Sequence, residues 1–139
     1  MWARLATRAT SFANGDTLSI TLALADGATA TITAVLATPF LGRVCALGSA
    51  GWMEVRDRRH PETPEGWDVT TAFRDGESEQ RFVPPAPAVR LNLEAFADAV
   101  AGTGTYPVTA AEMRATVRAF EAISRSARTG RVEQVYSAG

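Results

Sequence analysis

Between Thr17 and Leu36 the chain changes character at almost every step. Leu18, Ile20, Leu22 and Leu24 alternate with Thr17, Ser19, Thr21 and Ala23, and beyond Asp26-Gly27 the pattern returns with Ala30, Ile32, Ala34 and Leu36 set against Thr29, Thr31 and Thr33. A period of two is that of a half-buried strand. Asp-Gly tolerates the positive φ of a tight hairpin. The stretch therefore predicts two antiparallel strands, with one face for packing and the other flat, small and hydroxyl-lined. Pro39 ends the return strand. "GRVCALGSAGWMEV" then predicts two short strands about a Gly48–Gly51 turn, and "WDVTTAF", Asp75-Gly76 and "EQRFV" predict another hairpin, closed by "PPAP". With a first strand over Trp2–Thr10, the count is about six or seven.

Beyond Pro87 the period lengthens to that of a helix. Leu93, Phe96, Ala97 and Val100 share one helical face, with Glu94 and Asp98 turned away, and Gly102-Thr103-Gly104 stops the helix. After Pro107, Thr109 and Glu112 form a Thr-x-x-Glu capping box for a second helix. Its predicted buried stripe is Met113, Val117, Phe120, Ile123 and Ala127. Arg114, Arg118, Glu121, Arg125 and Arg128 are expected opposite as a solvated face, with Glu121 and Arg125 paired, and Gly130 is the C-terminal stop.

Strands first and helices last predict an α+β fold: a mainly antiparallel, open-faced sheet of about six or seven strands with two C-terminal helices packed on one face. A chain of 139 residues, 46% of them apolar, supports one core, so a single domain over 1–139 is expected. Net charge is -1, which argues against a nucleic-acid footprint. All 14 basic residues are Arg, excluding Schiff-base chemistry and a P-loop lysine. The lone Cys45 forms no intrachain disulfide, and a buried strand position is expected for it. No signal-peptide pattern or bilayer-length apolar run is visible, so a soluble, cytoplasmic protein is expected, without membrane partners.

One histidine and one cysteine make no metal-binding spacing, and no Gly-x-Ser-x-Gly elbow occurs. "GSAG" at Gly48–Gly51 lies between strands, where a hairpin turn is expected rather than a dinucleotide cradle. The stretch that offers binding groups is "DRRHPETPEG". There Arg58, Arg59 and His60 are candidates for an anionic or polyhydroxylated ligand, and the alternative is a solvated connector stiffened by Pro61 and Pro64. Trp2, Trp52 and Trp67 fall on predicted strands and suit packing.

The run from "GDTLSITLALADGATATITAVLATPF" to "GWMEVRD", followed by "NLEAFADAVAGTGTYPVTAAE" and "AFEAISRSARTGRVEQV", resembles the C-terminal domain of the Gfo/Idh/MocA oxidoreductases. These include glucose-fructose oxidoreductase and inositol dehydrogenase. The residues that carry the resemblance are Phe96-Ala97-Asp98-Ala99-Val100, Pro107-Val108-Thr109 with Glu112, Ala122-Ile123, Ser126-Ala127 and Thr129-Gly130-Arg131. The resemblance implies hydride transfer at a sugar or cyclitol alcohol by a whole enzyme whose separate Rossmann domain binds NAD or NADP. It implies a substrate-shaping and oligomerising role for this portion. The family's glycine-rich motif, Glu-Lys-Pro lysine and Asp-x-x-x-His pair match no position here: His60 is preceded four residues earlier by Arg56. Catalytic, cofactor-binding and metal residues are thus expected to be none, and the chain to be inactive alone. Three readings follow: a portion of a dehydrogenase, an accessory subunit for a Rossmann-type partner, and a stand-alone module for a sugar-like ligand. A homodimer through the hydroxyl-lined sheet face is also expected.

Overall fold

The computed structural model describes residues 1–135. It contains seven strands, β1 (Trp2–Ala6), β2 (Thr17–Ala23), β3 (Thr29–Val35), β4 (Arg43–Gly48), β5 (Gly51–Asp57), β6 (Trp67–Phe73) and β7 (Ser78–Val83), then helices α1 (Ala88–Ala101) and α2 (Ala110–Thr129). This is the predicted α+β order, and all pairings are antiparallel. The strands divide into two open sheets rather than one, β1-β2-β3 and β4-β5-β6-β7. The chain forms two compact units: Met1–Ala37 together with the segment from Thr105 onward, and Thr38–Gly104.

In the first unit, Asp26-Gly27 closes the β2–β3 hairpin. Leu24 N–H donates to the Ala28 carbonyl at 2.9 Å, the Asp26 carboxylate accepts the Ala28 N–H at 3.0 Å, and Gly27 sits at φ +89°. β1 is shorter than predicted because the chain beyond Ala6 curls around Asp16. The Asp16 carboxylate accepts N–H bonds from Arg8, Ala9 and Thr10, at 2.8–3.0 Å, and hydroxyl bonds from Thr10 and Thr17. These bonds, that from Ala9 foremost, hold its pKa far below the usual carboxylate range despite the opposing effect of burial.

The core of this unit is small. Ala3 faces Ile20 across β1 and β2, and both are buried with Ala122 of α2. α2 seats on β1 through Ala122 and Ser126, one turn apart. Ala3 N–H donates to Ser126 Oγ at 2.8 Å, and that hydroxyl donates to the Arg131 carbonyl at 2.6 Å. The Met1 and Glu133 backbones exchange two further bonds of 2.8 Å.

The expected buried stripe of α2 is therefore corrected. Met113, Val117 and Phe120 are exposed, whereas Arg118 and Arg125 are half-buried, and Arg125 reaches Glu133 at 3.4 Å rather than Glu121. Small residues win the seat because they let the helix backbone approach the strand closely enough for Ser126 to bond it. The predicted ends of α2 hold. Thr109 Oγ accepts the Glu112 N–H at 3.2 Å, the Glu112 carboxylate accepts the Thr109 N–H at 2.8 Å, and Gly130 closes the helix in the left-handed region.

In the second unit, the two predicted hairpins place β5 and β6 at the centre of a four-stranded sheet. Val69 is its buried apolar residue. Cys45 lies on β4 and is exposed, correcting the expectation of burial: β4 is the edge strand of its sheet and has a neighbour on one side alone. α1 begins after Pro87 and ends at Gly102, φ +73°. Its Leu93 and Val100 are exposed. Among the described residues, the one extensive helix–strand packing is that of α2 on β1. No described helix is long and apolar enough to cross a membrane.

Candidate functional site

Alternation along the second sheet sorts its side chains into two unlike faces. Register sets Arg43, Arg56, Asp68 and Phe82 side by side across four strands, and Cys45, Glu54, Thr70 and Gln80 in the next row of the same face. The opposite face carries Val44, Met53, Val55, Val69 and Thr71. The first face is thus polar and charged over its central strands, and it borders a recess of about 380 Å³. Phe40 and Leu41 line it from the chain preceding β4, with Glu54, Arg56, Asp57, Arg58, Asp68, Thr70 and Gln80 contributed by the sheet and its rim, so that two guanidinium groups meet three carboxylates there.

Close backbone contacts fix the end of this recess. Asp57 N–H donates to the Gly42 carbonyl at 2.9 Å, and a side chain at Gly42 would collide with the Asp57 carboxylate and the Phe40 ring. Trp67 Nε1 donates to Asp57 Oδ1 at 2.7 Å, anchoring that carboxylate across the β5–β6 pair. Arg58 N–H donates to the Gly66 carbonyl at 3.1 Å, so the loop 58–66 returns beside its own start. Gly66 is buried at φ +94°, and a Cβ there would meet the Val83 carbonyl and the Phe82 ring. Only glycine suits both the conformation and the space.

The three residues singled out from the sequence have different surroundings. Arg58 is on the recess: its Nε and Nη2 donate to Asp68 at 2.7–3.1 Å, and its guanidinium lies 4.1 Å from the centre of the Phe82 ring. The Arg58 hydrogen bonds lower the Asp68 pKa and, reciprocally, raise that of Arg58. Arg59 lies outside the recess lining and pairs with Glu65 at 2.8 Å. His60 accepts the Glu62 N–H at Nδ1, 3.3 Å away, and its ring meets the edge of Phe40 at 5.0 Å between centres. His60 borders the recess only through Phe40.

Glu54, Arg56, Thr70 and Gln80 were not singled out by sequence. Their signal was the period of two: Glu54, Arg56 and Arg58 stand at i, i+2 and i+4, as do Asp68 and Thr70. Glu54 is bridged by Arg43 at 3.5 Å. Arg56 stands opposite Asp68 and its charge helps to lower the Asp68 pKa, without a hydrogen bond between them, and neither the Thr70 nor the Gln80 side chain has a hydrogen-bond partner among the described residues.

Two other hollows are chemically poorer. A broader one, about 580 Å³, lies between the turns at Ser49–Ala50 and Phe73–Gly76, but its Arg74 is committed to the Ser49 carbonyl at 2.8 Å. Another, beside Leu5, Gly15 and Leu36, is mainly apolar. Among the described residues no three His, Cys, Asp or Glu side chains are grouped to hold a metal ion. A dinucleotide cradle is not supplied by these residues either. Gly48 and Gly51 are a cross-strand pair at a hairpin, Gly102 and Gly130 are helix C-caps, and the α2 N-terminus is occupied by its own capping box. Comparison of the sequence with protein-family models and with curated proteins finds no match.

Proposed function

We propose that this chain is the C-terminal, substrate-shaping and oligomerising portion of a cytoplasmic Gfo/Idh/MocA-like NAD(P)-dependent oxidoreductase that acts on a sugar- or cyclitol-like alcohol, and that it is inactive by itself. The observation that carries the proposal is the amount of apolar surface left uncovered in each unit. In the first, Met113, Val117 and Phe120 form an exposed stripe on α2, and Ile32 is exposed on β3. In the second, Val44 and Leu47 on β4 and Leu93 and Val100 on α1 are all more than 60% exposed. Among the described residues the buried apolar ones are Ala3, Ile20, Val69 and Ala122, three of them no larger than valine. Apolar patches of this extent mark surfaces that another domain or chain covers.

The order of seven strands and two helices, with the Thr109–Glu112 box before α2, agrees with the resemblance described above. In this reading NAD or NADP belongs to a Rossmann domain, and no residue of this chain is assigned to the nucleotide. The exposed Thr21, Thr29, Thr31 and Thr33 form a flat face suited to a symmetric homodimer. The alternative, an accessory subunit or a sugar-like ligand-binding module, is favoured by the recess on the second sheet, which needs no other domain to form.

Intact mass spectrometry of the natural product, captured from its source cells, tests the proposal. A species well above 14.8 kDa, with peptides of a glycine-rich nucleotide-binding domain, supports the enzyme portion. A species at 14.8 kDa that co-purifies with a Rossmann-type chain supports the accessory subunit. Robust NAD(P)-dependent turnover by the purified chain alone would overturn both.

A further inference from the structure

We propose that the free edge of β4 pairs antiparallel with β4 of a second copy of this chain, about a twofold axis at Cys45, so that two sheets become one. The inference rests on the second unit alone. It requires neither the family reading nor the β2–β3 face.

β4 ends its sheet and pairs with β5 only. One hydrogen bond shows which of its backbone groups are left over. Asp57 N–H donates to the Gly42 carbonyl, so Gly42 and Asp57, one step beyond the Arg43–Arg56 pair, turn their backbones toward each other. Antiparallel pairs alternate between hydrogen-bonded and non-hydrogen-bonded. Val44 and Ala46 therefore direct N–H and C=O toward β5, whereas Arg43, Cys45 and Leu47 direct theirs outward. Every residue of β4 is exposed. Among the described residues no turn or loop backbone bonds those three outward-facing groups. Such an edge is a template for another strand. The opposite edge is guarded: β7 carries Glu79 and Arg81 and runs into Pro84-Pro85, whereas β4 has a single charge, Arg43, at its first position.

The sequence of β4 fits a copy of itself. With Cys45 opposite Cys45 and Arg43 opposite Leu47 in both directions, every outward-facing residue meets another, and each pair exchanges both N–H···O bonds. A slip of two residues leaves one of them without a strand partner. In the centred register Val44 meets Ala46 on one face, and on the other the Arg43 stem lies beside Leu47. Leu47 and Val44, 83% and 72% exposed in the single chain, gain cover. Charge selects the same register. The two Arg43 residues stand four positions apart along the pair, about 13 Å, beyond the screening length at physiological salt. A register centred on Arg43 would oppose them directly. Pairing of β4 with a different edge, such as β3 of another copy, is head-to-tail and does not close, whereas β4 on β4 is isologous and closes at two chains.

The test uses the full chain. Sedimentation velocity over a concentration series should show a monomer–dimer equilibrium, and hydrogen exchange at the Arg43, Cys45 and Leu47 amides should slow with concentration, unlike exchange on β7. Cys45→Lys opposes two ammonium groups at an exposed position and should weaken the dimer about tenfold or more, with the circular dichroism of the monomer unchanged. Cys45→Ser should leave association within about twofold. Paired Cys45 residues, with Cα atoms about 5.5 Å apart, lie within disulfide reach, so diamide as two-electron oxidant should cross-link the wild type. In a Cys45→Ser background, Val44→Cys and Ala46→Cys chains should cross-link faster when mixed than either does alone. A chain monomeric throughout, β4 protection that Cys45→Lys leaves intact, or concentration-dependent protection on β3 instead of β4 would each overturn the proposal. A dimer through the β2–β3 face leaves the β4 amides unprotected, so the two modes of association are told apart.

Discussion

Ser126 is the point at which α2 is fastened to β1, and its removal is the sharpest test of how the first unit holds together. Ser126→Ala deletes one oxygen and leaves the helix backbone intact. Ala3 N–H, in a residue only 1% exposed, loses its acceptor, and the Arg131 carbonyl loses its donor. A buried, unsatisfied amide costs about 1–3 kcal/mol, and the second bond, near the surface, adds roughly 1 kcal/mol. Alanine returns about 0.5 kcal/mol through its better helix propensity. The net loss should be roughly 1.5–3.5 kcal/mol. Urea unfolding followed by circular dichroism measures it, while hydrogen exchange at the Ala3 amide reports on this unit specifically. Ser126→Cys, nearly isosteric and a weak acceptor, should fall between the two. A loss under about 0.5 kcal/mol, with Ala3 exchange unchanged, would refute the assignment of Ser126 as the fastening.

Gly66→Ala should destabilise the second unit by more than about 2 kcal/mol, since it combines a left-handed φ with a collision at Val83 and Phe82; a thermal melt within about 2 °C of wild type would contradict this. Asp16 contributes stability that is fully present above its unfolded pKa, near 3.8, and is lost as pH falls toward its depressed folded value. Urea midpoints should therefore drop between about pH 5 and about pH 2 in the wild type and change less in Asp16→Asn. Thr109→Ala should cost roughly 0.5–2 kcal/mol through loss of the capping box, seen first as faster amide exchange at Glu112. Exposed Cys45 should react stoichiometrically with a thiol reagent under native conditions, whereas reaction only in denaturant would restore a buried position for it.

Local chemistry carried most of the fold into view. Asp26-Gly27, Gly48–Gly51 and Asp75-Gly76 each close a hairpin between sequence neighbours, and Thr109 with Glu112 starts a helix by bonding within four residues. These features need no knowledge of distant chain. The division into two sheets does, because it depends on β3 and β4 not pairing, and the alternation of a strand fixes its faces without naming its neighbour. The seat of α2 was hidden for a related reason. Periodicity weights Met113, Val117 and Phe120 because they are large, but contact with β1 selects Ala122 and Ser126 because they are small. For the recess, Arg58 was visible as a loop cation, while Arg56, Thr70 and Gln80 come together only through register across β5, β6 and β7.

The reciprocal backbone bonds between Met1 and Glu133 join residues 132 apart, whereas every strand pairing in the second unit links consecutive strands. On a ribosome this difference becomes an order of events. The hairpins of Thr38–Gly104 can close as soon as they emerge, at little loop-closure cost. β1 precedes α2 by more than a hundred residues, so the Ala3 amide waits for its acceptor until α2 has been made. In that interval β1 is open to strand-capturing partners, and a chaperone or a sister chain that engages it there competes directly with Ser126.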